Sequence, residues 1–306
     1  MNIKQRLLLS NNYLFIFLII KPYIFIKHIL AGLIYTALSK VGIRSGVDTS
    51  KQNKQLVVCL TTIPERIDKV HLCIESIMRQ SLKPSKIILW LTDKIFDYQN
   101  EILEENIPKP LLQLRKRGLE IHFCRDIGPF SKTINTLTKY PNYVMVVADD
   151  DIYYPKNWLL ELYTAYEVEP QYVHCHQARW IKKNEVGQIM PYNNWKEVYD
   201  FYQGPSFNLF PITKGGCLYP PNILSNEVFK EDVFLKLCPI QDDVWLSAIS
   251  ILNRIKSKKV RPFPIGFIPI RGSQRASLMS ENIHKNKNDS QVKAVFDKYN
   301  LYNILS

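Results

Sequence analysis

Residues 143–151 read YVMVVADDD, and this stretch decides the predicted fold. The apolar run Tyr143–Ala148 is typical of a buried β-strand, and three carboxylates follow it directly. Side chains alternate across an extended segment, so we expect Asp149 and Asp151 to project to one side and Asp150 to the other. Two carboxylates about 4 Å apart repel by roughly 4 kcal/mol at an effective dielectric constant near 20. A cation between them offsets that cost.

All-oxygen ligation favours Mg²⁺ or Mn²⁺, and both ions commonly keep open positions for substrate phosphates. We therefore predict that Asp149 and Asp151 hold one of these metals. A plainer interpretation is that one of the aspartates caps the next helix, whose start is marked by Pro155 before Trp158. Capping accounts for one carboxylate and leaves the other two unexplained.

Strand-like and helix-like segments alternate through the chain before this cluster. Strands are expected at Leu56–Leu60, Lys86–Leu91, Leu119–Phe123 and Tyr143–Ala148, with helices over about Ile67–Gln80 and Ser131–Leu137. This order predicts an α/β fold, with a mostly parallel sheet flanked by helices on both faces. Ligands of such sheets bind beyond the carboxyl ends of the strands. Thr61, Asp93, Asp126 and the acidic cluster all fall at those ends.

Charge is distributed unevenly along the 306 residues. The chain has a net charge of +12, yet residues 51–250 carry 23 basic against 24 acidic residues, so the excess lies near the two ends. This pattern favours a catalytic body on an anionic membrane surface over a nucleic-acid groove. Signatures of nucleic-acid-binding folds are absent from the sequence, so no nucleic-acid partner is predicted. The six cysteines lie mostly in apolar runs and are interpreted as reduced core residues.

The N-terminal segment is apolar and basic. Residues 7–20 lack charge, but this run is shorter than the roughly 20 residues that a membrane span needs. Lys21-Pro22 and Lys27 then interrupt the apolar pattern. We therefore predict three parts: a membrane-associating segment at residues 1–50, a catalytic domain at 51–280, and a basic C-terminal tail or helix at 281–306. The alternative for the first part is an amphipathic helical hairpin packed on the domain.

Three features together resemble nucleotide-sugar-dependent glycosyltransferases of the GT-A fold, in particular bacterial family-2-like enzymes that build surface polysaccharides. They are the strand that ends in Asp-x-Asp, the turn Thr61-Thr62-Ile63-Pro64-Glu65-Arg66, and Asp242-Asp243-Val244-Trp245 about 90 residues further on. The resemblance covers roughly Leu56 to Asn253. It implies a Rossmann-like GT-A domain preceded by an apolar N-terminal helical segment.

The resemblance also implies roles for individual residues on the donor side. Asp149 and Asp151 would contact the ribose and the metal on the donor diphosphate, supported by Asp150, and Lys132 would approach the diphosphate. Nucleobase and ribose contacts are implied for the residues of the first turn and the second strand end: Thr61, Pro64, Glu65, Arg66 and Asp93. A helix entry is an equally good interpretation of that turn.

The resemblance also implies a role for the pair Asp242 and Asp243, at the place where the sugar acceptor would bind. In inverting enzymes of this kind the second carboxylate is the general base, so Asp243 is the predicted base. Related enzymes have Glu-Asp more often than Asp-Asp, which leaves open whether Asp242 or Asp243 acts. An N-cap before the apolar run that follows is the plainer alternative. His284 is the candidate third metal ligand, and a merely exposed His is its alternative.

The implied activity is Mn²⁺- or Mg²⁺-dependent transfer of a sugar, most readily from a UDP-sugar donor, to a glycan or lipid-linked glycan acceptor. The expected location is the cytoplasmic face of the cell membrane, as a peripheral or monotopic protein. A sugar-nucleotide nucleotidyltransferase is the enzymatic alternative, although the first turn lacks the glycine-rich loop that those enzymes carry. A non-enzymatic membrane-bound binder of anionic polymers is the other, and it leaves the acidic clusters unexplained.

Overall fold

A computed structural model describes residues 21–50, 54–93, 107–198, 204–261, 266–273 and 287–305. The helices in these ranges are α1 (Lys21–Val41), α2 (Val70–Met78), α3 (Lys109–Arg115), α4 (Ser131–Lys139), α5 (Trp158–Val168), α6 (Glu231–Leu237), α7 (Asp242–Leu252) and α8 (Lys287–Tyr299). The strands are β1 (Leu56–Thr61), β2 (Lys86–Thr92), β3 (Leu119–Cys124), β4 (Val144–Val147), β5 (Ile152–Tyr153), β6 (Val173–Cys175), β7 (Ala178–Trp180), β8 (Lys196–Glu197), β9 (Leu209–Pro211), β10 (Cys217–Tyr219), β11 (Ser257–Lys259) and β12 (Ile268–Pro269).

The central sheet of the described chain has seven strands in the order β11-β6-β10-β4-β1-β2-β3. Strands β4, β1, β2 and β3 are parallel neighbours, whereas β10 is antiparallel to both β4 and β6. The predicted mostly parallel α/β sheet is confirmed, and the four predicted strands form its parallel half. Pairing of β10 with β4 depends on residues about 70 positions apart, which local patterns do not report.

Helices cover both faces of this sheet. Alternate side chains of β1 enter different apolar clusters: Val57 and Cys59 face one cluster, and Leu56, Val58 and Leu60 face the other. The first cluster contains apolar side chains of α7 and α8, and the second contains those of α2, α3 and α5. A central strand buried on both faces needs a continuous apolar run, which β1 has.

The C-terminal helix α8 is part of this core. Val292, Val295 and Phe296 are buried in the same cluster as Trp245 of α7. All six cysteines are free thiols, and each is buried except the half-buried Cys124. Five of the six cysteines are therefore buried, as the apolar sequence around them predicted.

The N-terminal helix α1 is continuous from Lys21 to Val41. Lys21, Pro22 and Lys27 interrupt the apolar pattern of the sequence, yet all three lie within this helix. Helix α1 packs on α2 and α3. None of the helices in the described residues combines the length and the apolarity needed to cross a membrane.

A tight turn before β10 brings two parts of the fold together. Gly216 has φ +90°, a conformation that favours glycine, and a Cβ there would lie 2.3 Å from Nε1 of Trp158. The same indole nitrogen donates to the carbonyl of Gly215 at 2.8 Å. The turn therefore packs directly on the fully buried Trp158 at the end of the sheet.

We expect Gly216→Ala to lower the free energy of unfolding by about 3 kcal/mol, because it combines backbone strain with overpacking against Trp158. Urea denaturation measures this loss. Gly187→Ala is the matched control, since Gly187 has φ +80° but nothing within 4 Å of its Cβ position. That variant should lose only about 1 kcal/mol from the backbone alone. Equal losses in the two variants would contradict the role given to Trp158.

Candidate active site

The acidic cluster lies just beyond the carboxyl end of β4. The strand ends at Val147, residues 148–149 have no regular structure, and residues 150–151 form a bend before β5 begins at Ile152. The side chains therefore do not alternate as in a strand. Asp149 contacts Lys132, whereas Asp150 and Asp151 both contact Arg66. The expectation that Asp149 and Asp151 share one side, with Asp150 on the other, is wrong.

Lys132 connects the cluster to the downstream acidic pair. Its Nζ lies 2.7 Å from Oδ1 of Asp149 and 3.4 Å from Oδ2 of Asp242, and its side chain is only 6% exposed. Lys132 lies in the first turn of α4, which packs on β1 and β4, and Asp242 begins α7. Three segments that are far apart in the sequence therefore meet at one ammonium group.

Charge compensation decides the protonation states around Lys132. Burial alone would lower the pKa of Lys132, but Asp149 and Asp242 outweigh it, so the pKa lies well above its ordinary value. Burial raises the pKa of Asp149, and the nearby Lys132 and then Lys214 reverse that effect, so its net pKa is lowered. Burial raises the pKa of Asp242 despite Lys132. Lys132 is therefore charged, and Asp149 is ionised at neutral pH.

Asp243 differs from its neighbour in both contacts and protonation. Its Oδ1 accepts a hydrogen bond from the backbone N–H of Thr213 at 3.1 Å, and the residue is half-buried. Burial, and next the charge of Asp242, raise the pKa of Asp243 to about 7. A carboxylate with a pKa near the ambient pH suits general acid–base catalysis. The role of Asp243 as the base stays a prediction.

Arg66 is the second cation of the cluster. Its guanidinium contacts Oδ1 of Asp150 at 2.6 Å and Oδ2 of Asp151 at 3.4 Å, and its Nε donates to the carbonyl of Ser273 at 2.9 Å. The Thr62 hydroxyl donates to the other oxygen of Asp150 at 2.5 Å. Burial raises the pKa of Asp150 even so, with Arg66 and Thr62 opposing. Arg66 thus holds the acidic loop, which is a different contact from the nucleotide contact predicted for it.

The remaining predicted donor-site residues lie around the same edge of the sheet. The Thr61 hydroxyl donates to the carbonyl of Trp90 at 2.9 Å, which links β1 to β2. Asp93 accepts a hydrogen bond from the backbone N–H of Asp126 at 2.9 Å. Pro64 and Glu65 are exposed in a short 3-10 turn. His284 lies outside the described residues.

Sequence reasoning missed several residues of this site. Thr62 bonds Asp150, Thr213 bonds Asp243, and Lys214 lies close enough to lower the pKa of Asp149. The buried Tyr154 hydroxyl accepts a hydrogen bond from the Asp149 backbone N–H at 2.8 Å. The signal for Lys214 was its position beside Gly215 and Gly216, which marked a turn but gave no indication of what faced it.

The acidic side chains of the site offer few ligands for a divalent metal. In the described ranges, no three His, Cys, Asp or Glu side chains come close enough together to enclose an ion. A Mg²⁺ or Mn²⁺ ion held mainly by substrate phosphates needs only one or two carboxylates. Asp149 fits that role, because its side chain is 29% exposed and Lys132 contacts its Oδ1 atom. Oδ2 of Asp151 contacts Arg66 at 3.4 Å, and a metal shared by Asp149 and Asp151 stays a prediction.

No protein-family model matches this chain. A search of curated proteins also found no significant match.

We expect Arg66→Met to lower the free energy of unfolding at pH 8 by about 3 kcal/mol, because it leaves buried carboxylates uncompensated. The loss should shrink as the pH falls and Asp150, whose pKa is already raised, becomes protonated. Thermal or urea denaturation at pH 8 and pH 5 measures both effects.

The control for this experiment is Arg125→Met. Arg125 forms an ion pair with Glu231, but its side chain is 59% exposed, so the loss should stay below about 1 kcal/mol. The combined variant Arg66→Met/Asp150→Asn should recover part of the stability. Similar losses from Arg66→Met and Arg125→Met would show that Arg66 does not neutralise the acidic loop.

Proposed function

We propose that this protein is a glycosyltransferase of the GT-A type. It would transfer a sugar from a nucleotide-sugar donor to a glycan or lipid-linked glycan acceptor, and a UDP-sugar is the proposed donor. One observation carries the proposal: Asp149, Lys132 and the pair Asp242-Asp243 meet beyond the carboxyl end of a central parallel strand. Open α/β sheets bind their ligands at that edge. The Asp-x-Asp element and the buried Lys132 are suited to a donor diphosphate. The second acidic pair, Asp242-Asp243, is suited to supply a general base beside it.

On the acceptor side, Asp243 is the proposed catalytic base. In an inverting transfer the acceptor hydroxyl attacks the anomeric carbon while its proton passes to a carboxylate, and the carbon–oxygen bond to the diphosphate breaks. The pKa of about 7 leaves Asp243 substantially ionised at neutral pH. Its bond to the Thr213 N–H orients one oxygen, and the fixed turn before β10 holds that donor in place.

On the donor side, the balance of charge favours a metal–diphosphate complex over a bare diphosphate. The described site holds five carboxylates, from Asp149–Asp151 and Asp242-Asp243, against the cations of Lys132, Arg66 and Lys214. A diphosphate approaching this excess of negative charge is repelled. A Mn²⁺ or Mg²⁺ ion held by Asp149 would supply the missing positive charge and stabilise the leaving nucleoside diphosphate. Lys132 keeps the Asp149 carboxylate ionised and in position.

We expect Asp243→Asn to reduce sugar transfer by at least about 100-fold, since an amide does not accept the acceptor proton. Metal-dependent binding of UDP should persist. In the unaltered protein, kcat/KM should fall as the pH drops through about 7, where Asp243 becomes protonated. Release of nucleoside diphosphate, measured with a panel of UDP-sugars, follows both effects. Full transfer by Asp243→Asn would exclude Asp243 as the base.

The stability of Asp243→Asn provides its folding control. A carboxyl whose pKa is raised in the folded state binds its proton more tightly there than in the unfolded chain, so its ionisation destabilises the fold as the pH rises. Asp243→Asn should therefore be at least as stable as the unaltered protein at pH 8, and the difference should vanish near pH 4. Loss of stability at pH 8 would instead indicate a structural role for the carboxylate.

We expect calorimetry to show that Mn²⁺ tightens UDP binding, and that Asp149→Ala abolishes this tightening because it removes the proposed metal ligand. Glu185→Gln, a change in an exposed loop, is the matched control and should leave UDP binding unchanged. UDP binding by Asp149→Ala that still responds to Mn²⁺ would contradict the role of Asp149. Release of inorganic pyrophosphate from a nucleotide and a sugar phosphate would indicate a nucleotidyltransferase. Absence of any UDP binding by the unaltered protein would overturn the proposed function.

A further inference from the structure

The outward face of helix α1 is an unbroken apolar stripe. Its large side chains are between 51 and 70% exposed; they are Ile26, Leu30, Leu33, Ile34 and Val41. Ala37, also exposed, lies between them. The spacing of these residues places all of them on one side of an α-helix. Isolated exposed apolar side chains are ordinary, but a stripe that follows a helix over four turns marks an interaction surface.

The opposite side of α1 is attached to the domain. Tyr35 stacks on Tyr153 with ring centroids 4.7 Å apart, Gly32 faces the Tyr153 hydroxyl, and Ser39 is buried. Tyr153 belongs to β5, which begins directly after the acidic cluster. The apolar stripe is therefore held outward by the same short strand that follows the candidate active site.

The chain beyond α1 is fastened as well. The N–H of Gly46 donates to the carbonyl of Arg117 at 2.8 Å, and Nε of Arg117 donates to the carbonyl of Arg44 at 3.0 Å. Arg117 is itself buried and paired with the fully buried Glu75 of α2. Helix α1 thus has a defined orientation relative to the sheet rather than that of a loosely tethered anchor.

A groove of about 480 Å³ runs along the stripe. Ile26, Leu30 and Ile34 form one wall, and Ile268 and Arg79 lie on the domain side. The Nε of Arg79 pairs with Glu75 at 2.6 Å, but Arg117 shares the same carboxylate, so the two arginines keep a net positive charge. The Arg79 side chain is 38% exposed and brings this charge to the edge of the apolar slot. An apolar slot with a guanidinium at its rim matches a lipid, whose acyl chain is apolar and whose phosphate is anionic.

The charge and composition of residues 1–50, which include the stripe, also suit a lipid surface. Residues 1–50 carry six basic side chains against one acidic residue, and residues 7–20, which lead directly into α1, contain no charge. A second copy of this chain would offer the same basic charge and be repelled, whereas an anionic lipid surface attracts it. We propose that the outward face of α1 docks on an anionic lipid bilayer, with the helix lying in the membrane surface and the domain carried on its inner face.

This inference is independent of the proposed sugar transfer. Co-sedimentation of the full chain with phosphatidylcholine vesicles, with and without phosphatidylglycerol, tests it. The unaltered protein should bind the vesicles that contain phosphatidylglycerol, and added salt should weaken that binding. Leu33→Glu/Ile34→Glu should reduce the bound fraction by about tenfold or more, because it places two carboxylates in the apolar stripe.

Val168→Glu/Val186→Glu is the matched control, because both valines are exposed apolar residues that do not belong to α1. This variant should bind vesicles like the unaltered protein. Equal vesicle binding by the α1 variant and the control variant would overturn the proposal, as would absence of vesicle binding by the unaltered protein. A dimer in solution that only Leu33→Glu/Ile34→Glu dissociates would assign the stripe to a second copy of the chain instead. UDP binding measured on the same variants reports separately on the sugar-transfer proposal.

Discussion

A buried ion triad holds the candidate site together. The Lys132 ammonium lies between Asp149 at the end of β4 and Asp242 at the start of α7, almost wholly removed from water. A buried charge is tolerated only when its partners are in place, so the sheet edge, α4 and α7 must assemble for the Lys132 charge to be stable. This mutual dependence brings Asp243, the next residue of α7, to the same edge of the sheet.

Arg66 applies the same constraint on the other side of the acidic loop. By contacting Asp150 and Asp151, it compensates the charge of these two carboxylates and ties the loop to the carbonyl of Ser273. The three adjacent aspartates are thus divided between two protein cations. Asp149 remains the member of the trio that suits a metal shared with substrate phosphates, and the excess of carboxylates explains why such a metal would be needed.

The short strand β5 connects this site to the outer surface of the protein. It starts at Ile152, the residue that follows Asp151, and the ring of its Tyr153 stacks on the ring of Tyr35 in α1. Through this contact the helix that exposes the apolar stripe is packed against the element that follows the acidic loop. The two proposals, taken together, require a constant relation between the outward face of α1 and the candidate site. A single stacked pair of rings on a two-residue strand contributes to that relation.

Local sequence patterns determined the parallel half of the sheet, the helices around it and the position of the acidic residues at strand ends, because apolar periodicity reports burial directly. The continuous apolar run of β1 and the carboxylates after β4 needed no tertiary knowledge. Only the tertiary structure decided which charges meet. Alternation failed at Asp149–Asp151 because the strand ends at Val147, and the contacts Arg66–Asp150 and Lys132–Asp242 join residues 84 and 110 positions apart. Such pairings, like the insertion of β10 and the outward face of α1, follow from the packing of whole elements, which no local pattern encodes.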